Sequence, residues 1–150
     1  MDLPSGLMVS FYDEEQYALI FDNLDPGTWE ELPLTDTSII RGIVVKNPQY
    51  RTAEGFGPGT LLSKGTQYYG EATLSYNWEI EGREYISFAK GLLGNEDEVS
   101  GIGISMRSNQ GTLTQFSGIY PEEVNGASFQ ETNLYHDHGA INSIEIMTDL

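Results

Sequence analysis

The two histidines of the chain, His136 and His138, lie on either side of Asp137 and are the first candidates for chemistry. In an extended segment alternate side chains point the same way, so both imidazoles would face one side and Asp137 the other. Two imidazoles can hold zinc, nickel or copper when a carboxylate such as that of Glu131 completes the site. The sequence has no HExxH motif and no third ligand at a fixed spacing. A zinc site and a pair of exposed loop histidines both stay open.

An acidic turn, DNLDPGTWE at residues 22–30, suggests calcium. It carries four carboxylate or amide side chains: Asp22, Asn23, Asp25 and Glu30. An EF-hand loop needs Asp or Asn at its first, third and fifth positions, and Leu24 stands at the third, so that motif fails. A calcium site of another kind, built from Asp22, Asp25 or the loop Asn95–Glu98, stays open beside an acidic turn that faces water.

Three carboxylates near one predicted hairpin tip could in principle form an acid–base pair: Glu79, Glu81 and Glu84. Water at such a tip keeps carboxylates ionised, whereas glycoside hydrolysis needs one with a raised pKa. The chain has no GxSxG elbow, and its lack of cysteine removes thiolate catalysis, disulfides and Cys-ligated zinc. A carboxylate-dependent or metal-assisted hydrolase is therefore an alternative hypothesis and not the leading one.

The glycine-rich stretch at residues 55–59 resembles a phosphate loop only superficially. In a Walker A motif the lysine follows a glycine, whereas Lys64 precedes Gly65 here, and the segment before the glycines is polar rather than a buried strand. We therefore expect a turn followed by a short helix at about Leu61–Tyr69, with Thr60 as its N-cap and Gly70 as its left-handed stop.

The charge balance argues against several partners. Twenty-three acidic residues against seven basic ones give a net charge of −16 and a pI of about 4.1. Such a field repels phosphate backbones and anionic lipid surfaces, so we expect no nucleic-acid binding. No apolar run reaches the roughly 18 residues of a membrane span. The start, MDLPSGLMVSF, shows neither the basic nor the apolar region of a signal peptide.

The remaining pattern predicts an α+β fold, mainly antiparallel sheet with the short helix packed on it, in one domain of residues 1–150. The predicted strands are β-rich runs between turns: Leu7–Tyr12, Tyr17–Phe21, Asp36–Lys46, two within Glu71–Ala89, Val99–Met106, Thr112–Tyr120 and Ala140–Met147. A bulge is expected at Arg41–Gly42. Trp29 and Leu32 are expected to fold back on the core, and the irregular segment Pro121–Gly139 is expected to use three apolar anchors: Phe129, Leu134 and Tyr135.

The central stretch carries a family resemblance. Residues 52–61, TAEGFGPGTL, with YGEA at 69–72, ISF at 86–88 and a later VSGIGIS, resemble a segment of small bacterial secreted or lipoprotein-type domains. Those domains read approximately T-x-x-G-x-G-x-G-[ST], a short helix, then Y-G and a strand pair. The resemblance covers about residues 47–105 and implies an extracytoplasmic location and an α+β fold, with no activity. A looser likeness is to helix-plus-sheet modules of the outer-membrane lipoprotein and β-lactamase-inhibitor type, from which Gly65 departs.

The leading hypothesis is therefore a non-catalytic extracytoplasmic domain, periplasmic or secreted, that binds a protein or a small ligand. An aromatic groove or a sheet face would hold that partner. The alternatives are the hydrolase and a calcium-stabilised surface domain.

Overall fold

A single antiparallel sheet carries the fold. The computed structural model describes residues 6–11, 14–77, 83–92, 102–109, 116–121 and 129–148. This part of the chain forms one helix, α1 (Leu62–Tyr69), and eight strands: β1 (Gly6–Phe11), β2 (Glu14–Phe21), β3 (Ile40–Val45), β4 (Ala72–Asn77), β5 (Arg83–Phe88), β6 (Ile102–Ser108), β7 (Phe129–Thr132) and β8 (Ile141–Thr148). The strand order is β1-β2-β3-β8-β6-β5-β4-β7, and every described pairing is antiparallel. The prediction of a mainly antiparallel sheet with one short helix is confirmed, and the fold is largely β.

The core lies between α1 and one face of the sheet. Leu74, Ile86, Met106 and Ile144 are successive register partners across β4, β5, β6 and β8, so their side chains share that face. Leu74, Ile86 and Met106 are almost completely buried, and α1 adds further buried apolar side chains above them. Burial of this apolar surface gives the short helix the stability that eight isolated residues would lack.

Gly65 explains how closely the helix approaches the sheet. A Cβ atom on Gly65 would lie 2.5 Å from Cζ of Phe88 and 2.9 Å from Cε2 of Phe56, so only glycine fits between these rings. The two rings pack edge to face with centroids 5.4 Å apart. The departure of Gly65 from the looser helix-plus-sheet likeness is therefore a packing requirement of this core.

The predicted N-cap of the helix is wrong, and a competing hydrogen bond gives the reason. Leu61 occupies the N-cap position with extended backbone angles, φ −65° and ψ 144°, and its side chain makes no cap bond. Thr60 Oγ1 instead accepts a hydrogen bond from the backbone amide of Gly57 at 3.0 Å, which closes the glycine turn. Gly70 ends the helix with a positive φ of 86°, as predicted, but its ψ of −166° lies outside the left-handed helical region.

Two local predictions for the first half of the sheet are confirmed. β1 and β2 form the expected antiparallel hairpin. The register between β2 and β3 shifts between Ile20 and Phe21, which face Gly42 and Ile40, so Arg41 is the extra residue of a bulge.

Several predicted core contacts are wrong. The side chain of Trp29 is 66% exposed and that of Leu32 is also exposed, so neither folds back on the core. The segment expected to be irregular contains β7, where Phe129 is exposed, and Leu134 beyond it is exposed as well. Of the three expected anchors, only Tyr135 packs against the core.

The remaining predictions have mixed outcomes. Residues 116–120, expected as the end of a strand, form only an isolated bridge between Gly118 and Tyr135 within the described part of the chain. The predicted features at residues 78–82, 95–101 and 112–115 lie outside the described residues. In the described ranges no helix is both long and apolar enough to span a membrane.

Candidate functional site

Glu84 is a carboxylate on the core face of β5. It lies on the same face of the strand as Ile86 and Phe88 and pairs with Tyr76 of β4, which places it on the buried side. Its exposed fraction is 1%. A carboxylate at such depth is costly unless hydrogen-bond donors replace water around it.

Four donors surround the Glu84 carboxylate. Oε1 accepts from the hydroxyl of Ser108 at 2.5 Å and from the backbone amide of Ser117 at 2.8 Å. Oε2 accepts from the backbone amide of Gly118 at 3.0 Å and from the hydroxyl of Tyr120 at 2.6 Å. Two successive backbone amides that point at one anion form a nest, which stabilises the charge without a cation.

The carboxylate thereby holds the loop of residues 116–121 at three places. This loop in turn pairs with residues 134–136: the amide of Ile119 donates to the carbonyl of Leu134, and the amide of His136 donates to the carbonyl of Ser117, both at 2.8 Å. The hydroxyl of Thr132 donates to the carbonyl of Ile119 at 2.8 Å. Glu84 therefore positions both loops that lie next to it.

A cleft of about 470 Å³ opens between these two loops. It is lined by aromatic, apolar and imidazole groups: Tyr76, Phe116, Gly118, Ile119, Tyr120, Pro121, His136 and His138. The rings of Tyr76 and Phe116 stack with centroids 4.4 Å apart and an interplanar angle of 8°, and Tyr120 meets Tyr76 edge-on at 4.6 Å. The rings of His136 and His138 are nearly parallel, with centroids 5.2 Å apart.

The polar side-chain groups that the described residues give the cleft are phenol hydroxyls and two imidazoles. Burial raises the pKa of Tyr120 above its ordinary value, and its hydrogen bond to the Glu84 carboxylate raises it further, so the phenol keeps its proton. The described residues of the lining include no carboxylate, and Glu84 lies beneath them with both oxygens occupied by donors. The cleft can stack a ring and exchange hydrogen bonds through its imidazoles.

The structure brings together the two predicted histidines but not their predicted third ligand. His136 and His138 both line the cleft. Glu131 pairs with Ser75, the strand neighbour of Tyr76. Because neighbouring residues of a strand point to opposite faces, the side chain of Glu131 lies on the face of the sheet away from Tyr76 and the cleft. Within the described ranges no group of three or more His, Asp or Glu side chains is arranged to hold a metal ion. A zinc role for the histidines stays a prediction.

The two predicted calcium ligands have partners within the protein. Asp22 Oδ2 lies 3.5 Å from a guanidinium nitrogen of Arg41. Asp25 Oδ1 accepts hydrogen bonds from the backbone amides of Gly27 at 2.7 Å and Thr28 at 3.1 Å. A calcium role for these residues stays a prediction, and the loop Asn95–Glu98 lies outside the described residues.

The acidic turn and the histidines lie at opposite ends of the strands. Asp22 follows the end of β2, near Gly42 of β3, and Gly42 pairs with Met147 at the end of β8. His138 precedes the start of β8 at Ile141. Eight residues of strand at about 3.4 Å each separate the two ends by about 24 Å. His136 and His138 therefore cannot share one metal site with Asp22.

The prediction that Glu84 lies in water at a hairpin tip is wrong, although the sequence carries a signal for its burial. In REYISF the glutamate has the same parity as Ile86 and Phe88, which places it on their face of the strand.

No family model, no curated protein and no solved structure matches the chain, so the candidate site is argued from its geometry.

Proposed function

We propose that the protein is a non-catalytic binding domain whose cleft holds a small molecule with a flat ring face, such as an aromatic heterocycle or a sugar. The observation that carries the proposal is the cleft between residues 116–121 and 134–138, with its stacked aromatic wall and paired imidazoles. Its volume of about 470 Å³ lies within the usual range of small-ligand sites, roughly 300–1,000 Å³.

The anchoring of the cleft supports a binding role. Both loops are held by hydrogen bonds to Glu84 or to each other, so a ligand meets groups that are already in place. Preorganisation of this kind lowers the entropy that binding costs. The ring face would stack on the aromatic side chains, and the imidazoles would supply the few polar contacts that set orientation.

The chemistry of the lining favours binding over hydrolysis. A glycosidase needs two carboxylates that both reach the substrate, about 5–10 Å apart. The described residues that line the cleft offer none, and Glu84 beneath them is saturated by four donors. The hydrolase hypothesis therefore has no support from the described part of the lining.

The proposed setting is extracytoplasmic, periplasmic or secreted. The resemblance of residues 47–105 to bacterial secreted and lipoprotein-type domains supports it, and the net charge of −16 is compatible with it. Detection of the protein in the periplasmic or culture fraction of its source cells would test the setting; detection in the cytoplasmic fraction alone would refute it.

An NMR titration tests the ligand class. Backbone amide spectra are recorded with indole, methyl β-glucoside and cyclohexanol, each raised to about 10 mM, a concentration at which even weak fragment binding is populated. We expect indole or the glucoside, but not cyclohexanol, to shift the amides of residues 116–121 and 134–138. Absence of shifts with both flat-ring probes would refute the proposal.

A pair of matched variants makes the titration specific. Ile119→Glu places a charged chain in the cleft, whereas Ile39→Glu introduces the same charge at an exposed position at the other end of the sheet. The first variant should lose the shifts and the second should keep them. Hydrolysis of a nitrophenyl glycoside by the wild type that His138→Ala abolishes would favour the enzyme instead.

A further inference from the structure

A second surface lies at the far end of the sheet, in a hairpin of residues 23–32 that we call the Trp29 hairpin. Leu24 and Glu31 form a bridge, the amide of Asp25 donates to the carbonyl of Glu30 at 2.8 Å, and the amide of Leu32 donates to the carbonyl of Asn23 at 2.7 Å. The side chain of Asn23 donates to the carbonyl of Leu32 at 2.7 Å. This ladder makes the hairpin an ordered element that extends beyond β2.

Trp29 occupies an unfavourable conformation in this hairpin. Its φ of 58° makes it the one described residue other than glycine with a positive φ. A bulky side chain in that region costs about 1 kcal/mol or more, and glycine would avoid the cost. The indole is 66% exposed, so burial in this structure does not offset the strain. Retained strain at an exposed aromatic side chain points to a role in contact with another molecule.

The Trp29 hairpin belongs to a stretch of chain rich in exposed apolar side chains, which we call the apolar cluster. Twelve large apolar side chains are exposed in the described part of the chain, and five of them fall within residues 29–40: Trp29, Leu32, Leu34, Ile39 and Ile40. Isolated exposed apolar residues are ordinary, whereas a concentration of them marks an interaction surface. Tryptophan is the residue most enriched at the energetic centres of such surfaces.

The charges around this cluster define the partner. Residues 22–40 contain five acidic side chains and no lysine or arginine: Asp22, Asp25, Glu30, Glu31 and Asp36. Asp22 pairs with Arg41, and the other four acidic side chains, which we call the acidic border, are interspersed along the chain with the exposed apolar groups. A net charge of −16 repels a second copy of the chain and attracts basic proteins over a distance.

We propose that the Trp29 hairpin and the adjoining residues 34–40 dock a basic protein surface, with Trp29 as the apolar anchor. The indole face would receive an arginine or lysine side chain of the partner, since tryptophan is the strongest aromatic host for a cation. The acidic border would pair with further basic groups, and the leucine and isoleucine side chains would cover apolar area between them. This surface is separate from the cleft, so the proposal does not depend on the ligand of the cleft.

The test measures binding of two synthetic peptides of twelve residues, one alternating arginine and leucine and one alternating glutamate and leucine. Calorimetry with the full chain should detect the arginine peptide and not the glutamate peptide. Raising the salt from about 50 to 300 mM should weaken binding at least several-fold, because screening shortens the reach of the charges. Absence of detectable binding between the wild-type protein and the arginine peptide at low salt would overturn the proposal.

The decisive variant is Trp29→Gly, since it separates binding from folding. Glycine relieves the positive φ, so the melting temperature should stay level or rise, while affinity for the arginine peptide should fall about thirtyfold or more. Tyr68→Ala removes another exposed aromatic side chain, on α1, and should leave the affinity unchanged. Equal affinity of the Trp29→Gly variant and the wild type, or a fall in its melting temperature, would contradict the proposed role.

A second copy of the chain is the competing occupant. Sedimentation velocity at several protein concentrations should show a monomer whose state Trp29→Gly does not change. Concentration-dependent association that Trp29→Gly abolishes would assign the surface to self-association and overturn the proposal of a basic partner.

Discussion

Replacement of Glu84 by glutamine tests whether the buried carboxylate supports the cleft. Glu84→Gln keeps nearly the same shape and one oxygen acceptor, so Ser108 and Ser117 can still donate to it. Its amide group then faces the backbone amide of Gly118 and the hydroxyl of Tyr120. The hydroxyl can rotate and accept a hydrogen bond, but the backbone amide cannot, so one buried donor meets another donor.

The expected magnitude follows from these contacts. A hydrogen bond to a charged group contributes about 1.5–3 kcal/mol and a neutral one about 0.5–1.5 kcal/mol, while a buried donor left without an acceptor costs about 1–3 kcal/mol. Burying a neutral amide instead of a charge offsets part of this loss. We expect Glu84→Gln to reduce the free energy of unfolding by about 2–4 kcal/mol, which lowers the melting temperature by about 6–12 °C in a chain of this size.

The assay combines urea denaturation with amide hydrogen exchange. Exchange should accelerate at Ser117 and Gly118, whose amides lose the anion, before it does so in β4 and β5. Glu71→Gln, at an exposed glutamate, is the matched control and should change stability by less than about 0.5 kcal/mol. In a double-mutant cycle with Tyr120→Phe, Glu84→Gln should show a coupling of about 1 kcal/mol or more. A Glu84→Gln variant as stable as the control would refute the reasoning.

Three further predictions concern the helix, the phenol and the histidines. Gly65→Ala should destabilise the protein by about 1–3 kcal/mol despite the better helix propensity of alanine, because the added methyl group meets two aromatic rings. The control Gln67→Ala, on the exposed side of the helix, should change stability little. A Gly65→Ala variant more stable than the wild type would contradict this account of the packing. Because its pKa is raised in the folded state, Tyr120 keeps its proton there at pH values at which the unfolded chain has lost it. The free energy of unfolding should therefore be full below about pH 10 and fall above it. The slope of this decline should be below about 1.4 kcal/mol per pH unit, since the ring is partly exposed. In melts across pH 9–11.5, Tyr120→Phe should flatten the decline. An unchanged slope in that variant would count against a raised pKa of Tyr120. Melts with zinc and with calcium against an EDTA control test the two metal predictions: a rise with zinc that His138→Ala removes would assign the metal to the histidine pair, and a rise with calcium that Asp25→Asn removes would assign it to the acidic turn. No rise with either metal would refute both predictions.

Local patterns in the sequence predicted much of the sheet because they depend on neighbouring residues. The β1–β2 hairpin follows from two β-rich runs around a short polar turn, and the bulge at Arg41 follows from apolar pairs on either side of Arg41-Gly42. The N-cap prediction failed because it depended on a non-local feature. The hydroxyl of Thr60 can accept a hydrogen bond from an amide of the helix or from that of Gly57, and the path of the glycine turn favours Gly57.

The candidate site could be predicted only in part: the sequence singled out His136 and His138, but the other parts of the site are distant from them in sequence. The donors to Glu84 lie between 24 and 36 residues further along the chain. Strand parity alone indicates that Glu84 is buried, but not that Ser117 and Gly118 present their amides to it. The exposure of Trp29 was missed because large apolar residues are buried by default, and a folded structure is needed to show that this hairpin points away from the core.

The positions of the two candidate surfaces determine how they can act together. The cleft lies beside the start of β8, next to His138, and the Trp29 hairpin lies beyond the end of β2, near Gly42 and so near Met147 at the end of β8. About 24 Å of strand separates them, a distance at which side chains of one surface cannot touch a molecule on the other. The middle of β8 is bonded to β3 on one side and β6 on the other, which makes it a rigid spacer. A ring-bearing ligand in the cleft and a basic protein at the hairpin can therefore occupy the same molecule at once, each without displacing the other.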